Sequence, residues 1–224
     1  MTDADSALAF DQARFNMIEQ QVRPWDVLDQ RVLDVMAEIP REDFVPERYR
    51  PLAFSDLSLP LEHGQVMLPP RIQGRLLQAL DLRPDDRILE VGTGTGYLTA
   101  CLARLGGQVL SVDIHGDFLE TAQACLGHLG IDNLELREAD AAGGWPEDGA
   151  FDAIAVTGSL PRLHEGFHRA LREGGRLFLV TGRPPVMEAM LLTRVSGDQW
   201  AREDLFETSI PPLENAPADT SFGL

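Results

Sequence analysis

A glycine-rich turn between a strand and a helix is the first feature of this sequence that predicts chemistry. Residues 89–97 read LEVGTGTGY, so an apolar run passes directly into three glycines and then into a helical pattern. Glycine allows positive φ angles and leaves room for a ligand against the backbone. The turn therefore predicts a site for a nucleotide-type ligand. Its expected contacts are Gly92, Thr93, Gly94, Thr95 and Gly96.

The acid within this segment indicates which ligand the turn binds. Dinucleotide-binding turns have the spacing G-x-G-x-x-G and hold a pyrophosphate at a helix N-terminus. Here the spacing is G-x-G-x-G, and Glu90 precedes it. A carboxylate repels a pyrophosphate but attracts a cation. S-adenosyl-L-methionine has no phosphate and carries an ammonium and a sulfonium, so the residues favour this cofactor over NAD, with Glu90 beside it.

Two further acids follow the next two predicted strands. Asp113 ends the run VLSVD, where a carboxylate can accept both hydrogen bonds from a ribose diol. Asp140 follows the third strand and could accept a hydrogen bond from the adenine amino group. Because the carboxyl ends of parallel strands meet at one edge, we expect Glu90, Asp113 and Asp140 to converge on one crevice. Ile114 and Ala141, directly after these aspartates, are expected to contact the adenosine.

Short apolar runs alternate with amphipathic segments after residue 70, which is the pattern of an α/β fold with a parallel sheet. The segments between the predicted strands are long enough to connect parallel strands, and a parallel sheet must be covered by helices on both faces. The last two runs suit closing strands, with an antiparallel arrangement as one option. The predicted strands are 87–91, 109–113, 134–139, 151–156, 176–180, 187–195 and about 200–206, and the predicted helices are about 71–82, 97–105, 117–129 and 163–171.

The first 70 residues lack this alternation. Two amphipathic helices are predicted there, followed over 40–70 by a proline-rich stretch without a sustained period, which predicts an ordered loop or cap and not a strand layer. We expect residues 1–70 to form a cap on a cofactor-binding α/β domain over 71–224, the two making one compact unit. The helical positions are Leu8, Phe15, Ile18 and Val22 in a helix over 7–23, and the inward-facing Leu28, Val32, Leu33 and Met36 in a helix over 27–38.

Composition limits the class of partner. The formal net charge is -17, whereas nucleic acids and anionic membranes bind clustered Lys and Arg. We therefore expect neither a nucleic-acid nor a membrane partner. The two cysteines lie in predicted helices and do not suggest a disulfide framework, and the N-terminus lacks the basic-then-apolar pattern of a secretory signal. These features favour a cytoplasmic protein.

The stretch upstream of the glycine turn gives the sequence a specific resemblance. MIEQQV, RVLDVM, PREDFVP, AFSD and LPLEHGQ follow one another between residues 17 and 65. Downstream, ILEVGTGTGYLTACLA, GWPEDGAFDAIAVTG and LREGGRLFLV continue the pattern. From about Phe15 to Pro217 the chain resembles the protein-L-isoaspartate O-methyltransferase family, which belongs to the class I S-adenosylmethionine-dependent methyltransferases.

The resemblance implies a Rossmann-like methyltransferase fold, with a mostly parallel seven-stranded sheet, helices on both faces and a C-terminal strand pair. It also implies methyl transfer from S-adenosylmethionine to a carboxylate. Family members typically carry Thr-Ile-Ser directly after the HGQ-like motif, with hydroxyls close to the cofactor and acceptor. This chain has Val66, Met67 and Leu68 there. The loss of both hydroxyls predicts an altered acceptor in a more apolar pocket.

Several functions stay open at this point. One is a methyltransferase with an altered acceptor, either a protein carboxylate or a small molecule. Another is genuine isoaspartyl repair, in which backbone amides or Thr157 replace the missing hydroxyls, and a third is a cofactor-binding sensor or scaffold without turnover. The sequence assigns no catalytic residue, no metal ligand and no oligomeric state. The expected acceptor contacts are His63, Gln65, Val66, Leu68 and Thr157.

Overall fold

The computed structural model describes residues 3–217, and it shows an α/β fold built on a seven-stranded sheet. The strands are β1 (Leu59–Pro60), β2 (Val66–Met67), β3 (Arg87–Val91), β4 (Gln108–Asp113), β5 (Leu134–Glu138), β6 (Phe151–Leu160), β7 (Leu171–Arg183), β8 (Val186–Ser196) and β9 (Gln199–Thr208). The α-helices are α1 (Asp3–Met17), α2 (Gln30–Glu38), α3 (Pro70–Leu80), α4 (Tyr97–Leu105), α5 (Gly116–Leu126) and α6 (Glu165–Ala170).

The main sheet has the strand order β5-β4-β3-β6-β7-β8-β9. Strands β3 to β7 pair in parallel, and β8 and β9 pair antiparallel. The chain runs outward from β3 to β4 and β5, and then returns to the other side of β3 with β6. Such a reversal opens a crevice at the carboxyl ends of the central strands, where ligands bind in folds of this kind. The predicted fold class and seven strands are confirmed.

The central strands are buried on both faces, which explains why their sequences are almost continuously apolar. Ile88 and Leu89 in β3 are fully buried and belong to two hydrophobic clusters on opposite faces of the sheet. The cluster that contains Ile88 also includes Val22 and Met36 from the N-terminal segment, together with Leu76 from α3. The N-terminal segment thus packs on one face of the sheet. The division of the chain into a cap and a domain at residue 70 stays a prediction. Residues 1–2 of the cap and 218–224 of the domain lie outside the described residues.

Three apolar residues of the N-terminal helices are exposed, contrary to the predicted pattern. The exposed fractions of Leu8, Phe15 and Leu28 are 70%, 59% and 69%. After α1 the chain continues as a π-helical turn over Ile18–Val22, in which i→i+5 hydrogen bonds place more residues in each turn and change which positions face inward. Leu28 lies outside α2, because the side chain of Asp29 accepts a hydrogen bond from the Arg31 backbone and caps the helix there.

The segment over 40–70 consists mainly of short 3-10 turns, as expected for an ordered cap, but it also contains one strand pair. β1 pairs antiparallel with β2, and Leu59 faces Met67. Each strand has two residues, which is too short for a sequence period to reveal. This small pair is the one departure from the predicted cap, and it does not form a strand layer. Within residues 3–217, no helix is both long enough and apolar enough to cross a membrane.

Candidate active site

The three glycines of the turn after β3 have different structural roles. All three have positive φ angles, of 98° at Gly92, 51° at Gly94 and 84° at Gly96. A Cβ on Gly92 would lie 2.2 Å from the hydroxyl of Thr157, and one on Gly96 would lie 2.8 Å from the Cβ of Ala122. These two glycines permit close packing within the protein. A Cβ on Gly94 would meet only a methyl group of Leu61, at 3.7 Å, and Gly94 exposes its backbone to the cavity described below.

Asp113 is oriented by two backbone amides at the end of β4. Its Oδ2 accepts a hydrogen bond from the Gly94 amide at 2.9 Å, and its Oδ1 accepts one from the His115 amide at 3.1 Å. The side chain is buried at the cavity wall beside Ile114. Each carboxylate oxygen keeps a second lone pair, which can accept from a ligand hydroxyl. This geometry suits the predicted ribose contact.

Asp140 also lines the cavity, next to Ala141. Its Oδ1 accepts from the Ala142 amide at 3.0 Å, and its Oδ2 accepts from the side-chain amide of Asn215 at 2.8 Å. Asn215 lies in the segment after β9, which sequence analysis did not connect with the site. Asp140 therefore fastens this segment to the end of β5, in addition to its predicted contact with the adenine.

Glu90 does not line the cavity, in contrast to the expected convergence of three acids. Its carboxylate is fully buried, and Oε2 accepts from Thr99 at 2.5 Å and from Ser111 at 2.6 Å. Oε1 has no hydrogen-bond partner in the described part of the chain. Burial raises the pKa of Glu90 to about 8, against the effect of the two hydroxyls. Glu90 thus supports the turn from the protein interior, and its contact with a cofactor stays a prediction.

Replacing Glu90 by Gln should make unfolding less dependent on pH. The pKa of Glu90 is about 8 in the folded protein and near 4.5 in an unfolded chain, so the folded state retains a proton that the unfolded state releases between these values. The proton's contribution to stability is complete below pH 4.5 and is lost as pH rises through 8. The wild-type melting temperature should fall by several degrees more than that of Glu90→Gln between pH 5 and pH 8. An equal fall in the melting temperatures of the two proteins would contradict the raised pKa of Glu90.

The cavity at the carboxyl ends of the strands encloses about 870 Å³, including the part open to solvent. One side is formed by the glycine turn and the ends of β4 and β5. The opposite side is formed by Leu61 and residues 65–68 of the cap and by three residues of the segment 210–216, which we call the C-terminal strap. Pro211 accepts a hydrogen bond from the Ser159 amide, and the Leu213 amide donates one to Ser159, both at 2.9 Å. The strap therefore runs alongside the end of β6.

The acceptor wall, which comprises Gln65, Val66 and Leu68, contains the residues that replace the expected hydroxyls. All three line the cavity, with Val66 half-buried and Leu68 buried. Thr157 lines it too, but its hydroxyl donates to the carbonyl oxygens of Val91 at 3.0 Å and Gly92 at 2.9 Å. The proton of Thr157 is thus directed at the backbone. The acceptor wall is apolar apart from Gln65.

His63 lies at the rim, outside the residues that line the cavity. Its Nε2 is 2.9 Å from Asp117, and this partner raises the pKa of His63 while the pKa of Asp117 is lowered. The ring stacks on that of His115 at 3.8 Å and 6°, and His115 Nε2 is 2.7 Å from Glu214 in the strap. His63, His115 and Asp117 lie close enough for a metal site. However, in-plane lone pairs of stacked rings cannot converge on one ion, so the group instead connects the cap, α5 and the strap.

Comparison with known proteins decides the family. A family model described as protein-L-isoaspartate(D-aspartate) O-methyltransferase matches residues 13–208. Protein-L-isoaspartate O-methyltransferase 1 of Rhodopseudomonas palustris is 37% identical over 211 residues, which are 94% of this chain and 86% of that protein. The chain belongs to the protein-L-isoaspartate O-methyltransferase family. A relative of the same name from Methylorubrum extorquens is 39% identical over 202 residues, 90% of this chain and 88% of its own.

Solved structures support the fold of this family member. The crystal structure of a protein described as a possible protein-L-isoaspartate O-methyltransferase from Plasmodium falciparum, in complex with S-adenosyl-L-homocysteine, has a TM-score of 0.76 and 22% identity. It covers 92% of this chain, and this chain covers 98% of it. The predictions of an S-adenosylmethionine-dependent methyltransferase and of S-adenosylmethionine as its cofactor are confirmed.

The cavity of this methyltransferase fits that cofactor electrostatically. Asp113, Asp140 and Glu214 line it, and no Lys or Arg does among residues 3–217. A phosphate would meet only negative charge there, whereas a sulfonium and an ammonium are attracted. Gly94 leaves the space that a side chain would otherwise fill. Asp113 and the turn would hold the adenosine, and the cofactor would supply an electrophilic methyl group.

Sequence analysis missed about half of the cavity lining of this methyltransferase. Leu61 and Leu98 are apolar residues that sequence analysis did not connect with the cavity, whereas Met67 was expected in the more apolar acceptor pocket. Gln73 belongs to a helix with no motif of its own, and the strap follows the last predicted strand without any periodicity. His115 was detectable, because it follows Asp113 and Ile114 at a strand end. The other missed lining residues are Val91, Val112, Phe118, Ala139, Ala142, Pro211, Leu213 and Glu214.

Proposed function

We propose that this protein is a carboxyl methyltransferase whose acceptor differs from an isoaspartyl side chain held by hydroxyl groups. The observation that carries this proposal is the acceptor wall. Val66 and Leu68 present hydrocarbon to the cavity, and the hydroxyl of Thr157 donates to the backbone. An acceptor wall whose polar side chain is Gln65 alone discriminates against polar acceptor groups, because their hydrogen bonds to water are lost on entry. The acceptor carboxylate would therefore carry an apolar neighbouring group.

The residues act mainly by alignment and by exclusion of water. Transfer forms an O–CH₃ bond as the S–CH₃ bond breaks, and the electron pair stays on sulfur. An ionised carboxylate is already a nucleophile, so no side chain has to remove a proton. Holding the two reactants in line lowers the barrier without acid or base catalysis. The acceptor wall and the C-terminal strap close the cavity on the side opposite the glycine turn, which keeps water from the reacting atoms.

Isoaspartyl repair is the second candidate, and the relatives favour it. Proteins 37% and 39% identical to this chain carry the name protein-L-isoaspartate O-methyltransferase. In that case backbone amides at the acceptor wall would bind the peptide carboxylate. The two candidates share the cofactor, the reaction and the ester product. They differ only in how strongly an isoaspartyl peptide is preferred.

The experiment that separates them measures transfer of labelled methyl groups from S-adenosylmethionine. An isoaspartyl peptide, the matched aspartyl peptide and a set of small carboxylic acids of increasing apolar character are compared as acceptors. Release of methanol by mild base identifies a methyl ester. We expect apolar carboxylates to exceed the isoaspartyl peptide in kcat/KM. A strong preference for the isoaspartyl peptide would establish repair instead.

A further inference from the structure

Two buried polar side chains beside the cavity have no role in the reaction described above. Arg41 lies in the PREDFVP segment of the cap and is fully buried. Gln73 lies near the start of α3, is also buried, and lines the cavity together with Leu68. Buried polar groups are costly unless their hydrogen bonds are made, so both side chains require an explanation.

The charge of Arg41 is not balanced by a carboxylate. Its guanidinium donates to the carbonyl oxygens of Ala53 and Leu68, both at 2.8 Å, and to Oε1 of Gln73. It also lies 4.7 Å from the ring centre of Tyr97. No acid whose side chain the structure describes forms an ion pair with it, and burial lowers the pKa of Arg41. A carboxylate brought into the neighbouring cavity would offset the cost of this buried cation.

Arg41 determines which way the amide of Gln73 points. A guanidinium has only donors, so the atom of Gln73 that faces it must be the oxygen. The amino group then occupies the opposite end of the amide. No residue in the part of the chain that the structure describes accepts a hydrogen bond from this nitrogen. Because Gln73 lines the cavity, its free donor is directed there, and the hydrogen bond from a cation polarises it further.

We propose that Nε2 of Gln73 donates a hydrogen bond to a carboxylate in the cavity, with Arg41 as the positioning residue that orients and polarises the amide. Two molecules can supply a carboxylate in the cavity. One is the cofactor, through its methionine end, and the other is the methyl acceptor. The recognition chemistry is the same for both. If the carboxylate belongs to the acceptor, the proposal rests on the function proposed above. If it belongs to the cofactor, it does not.

The test compares two ligands that differ in the amino-acid end. Binding of S-adenosylhomocysteine and of 5′-methylthioadenosine, which lacks the carboxylate, is measured by calorimetry for wild type, Gln73→Leu and Gln73→Glu. Gln73→Glu can pair with Arg41 and so preserves the fold, while it presents negative charge to the cavity. If the cofactor is the source, both variants should bind S-adenosylhomocysteine about 10- to 100-fold more weakly. Their affinity for methylthioadenosine should be unchanged.

If the carboxylate belongs to the acceptor, both Gln73 variants should bind S-adenosylhomocysteine and methylthioadenosine as the wild type does. Their KM for the preferred acceptor should instead rise by a similar factor, with kcat altered less. Arg41→Lys should reproduce part of the effect, since it keeps a charge and a donor but not the fork of the guanidinium. Gln78→Leu is the matched control, because the Gln78 amide on the same helix bonds only to the backbone of residues 26–29. It should lower stability and leave the ratio of the two affinities constant.

Equal weakening of both ligands by Gln73→Leu and Gln73→Glu would overturn the proposal, since it would show a structural role alone. Unchanged binding of both ligands together with an unchanged KM would overturn it as well. Absence of methyl transfer to either kind of acceptor would overturn the proposed function, but it would not affect the calorimetric test of the cofactor carboxylate. The two failures can therefore be distinguished.

Discussion

The double variant Val66→Thr/Leu68→Ser should methylate an isoaspartyl peptide about a hundredfold faster, in kcat/KM, than the wild-type protein. Both side chains line the cavity at the acceptor wall. A hydrogen bond to a charged group contributes about 1.5–3 kcal/mol, and each 1.4 kcal/mol corresponds to about tenfold in rate. Two restored hydroxyls therefore suffice for this gain, even if one of them is imperfectly placed.

The control for that variant is Val66→Ala/Leu68→Ala, which removes similar bulk at position 68 and more at position 66 without adding a donor. Leu68 is buried, so both double variants lose packing and should unfold at a lower temperature than wild type. Binding of S-adenosylhomocysteine is measured in parallel, because it shows whether the cofactor side is intact. An equal gain in the alanine variant, or a wild-type rate that the hydroxyls do not improve, would show that the acceptor wall does not determine specificity.

Asp113→Ala should weaken binding of S-adenosylhomocysteine by about 5- to 150-fold, corresponding to roughly 1–3 kcal/mol for lost hydrogen bonds to a carboxylate. The structure adds a second reason for the loss. The carboxylate of Asp113 accepts a hydrogen bond from the Gly94 amide at 2.9 Å. Removal of this carboxylate therefore also frees the glycine turn, whose backbone faces the ligand. Calorimetry measures the affinity, and circular dichroism confirms that the variant is folded.

Asp117→Ala is the control for charge. It removes the same formal charge only four residues later, from an exposed side chain that bonds to His63 and does not line the cavity. Its affinity for S-adenosylhomocysteine should remain within about twofold of wild type, because exposed ion pairs contribute little. A folded Asp113→Ala protein with wild-type affinity would remove Asp113 from the ribose site.

The amino-acid sequence by itself determined the order of the elements, the glycine turn and the position of Asp113. These features depend on residues close together in the chain. The apolar run of β3 leads into Gly92 and Gly94 within a few residues, and Asp113 ends the next strand. The motifs of the cap also indicated the family, because several of them follow one another at characteristic spacing.

Only the tertiary structure decided which of those residues share the cavity and which lie outside it. Glu90 and Asp113 both belong to strand ends, yet Glu90 turns into the core and Asp113 to the cavity wall. The register of β3 and β4 pairs Glu90 with Ser111, two residues before Asp113, so the two acids lie on the same face of the sheet at different positions along the strands. Glu90 is covered there by Thr99 of α4, whereas Asp113 lies at the strand end beside the cavity, and no local pattern describes this packing.

The contacts between distant segments were likewise invisible in the sequence. Asn215 reaches Asp140, and Arg41 orients Gln73, across separations of 75 and 32 residues. Such pairs form because the folded chain brings buried donors and acceptors together, and their spacing in sequence obeys no period. The closed side of the cavity, formed by the acceptor wall and the C-terminal strap, is thus a property of the packed structure.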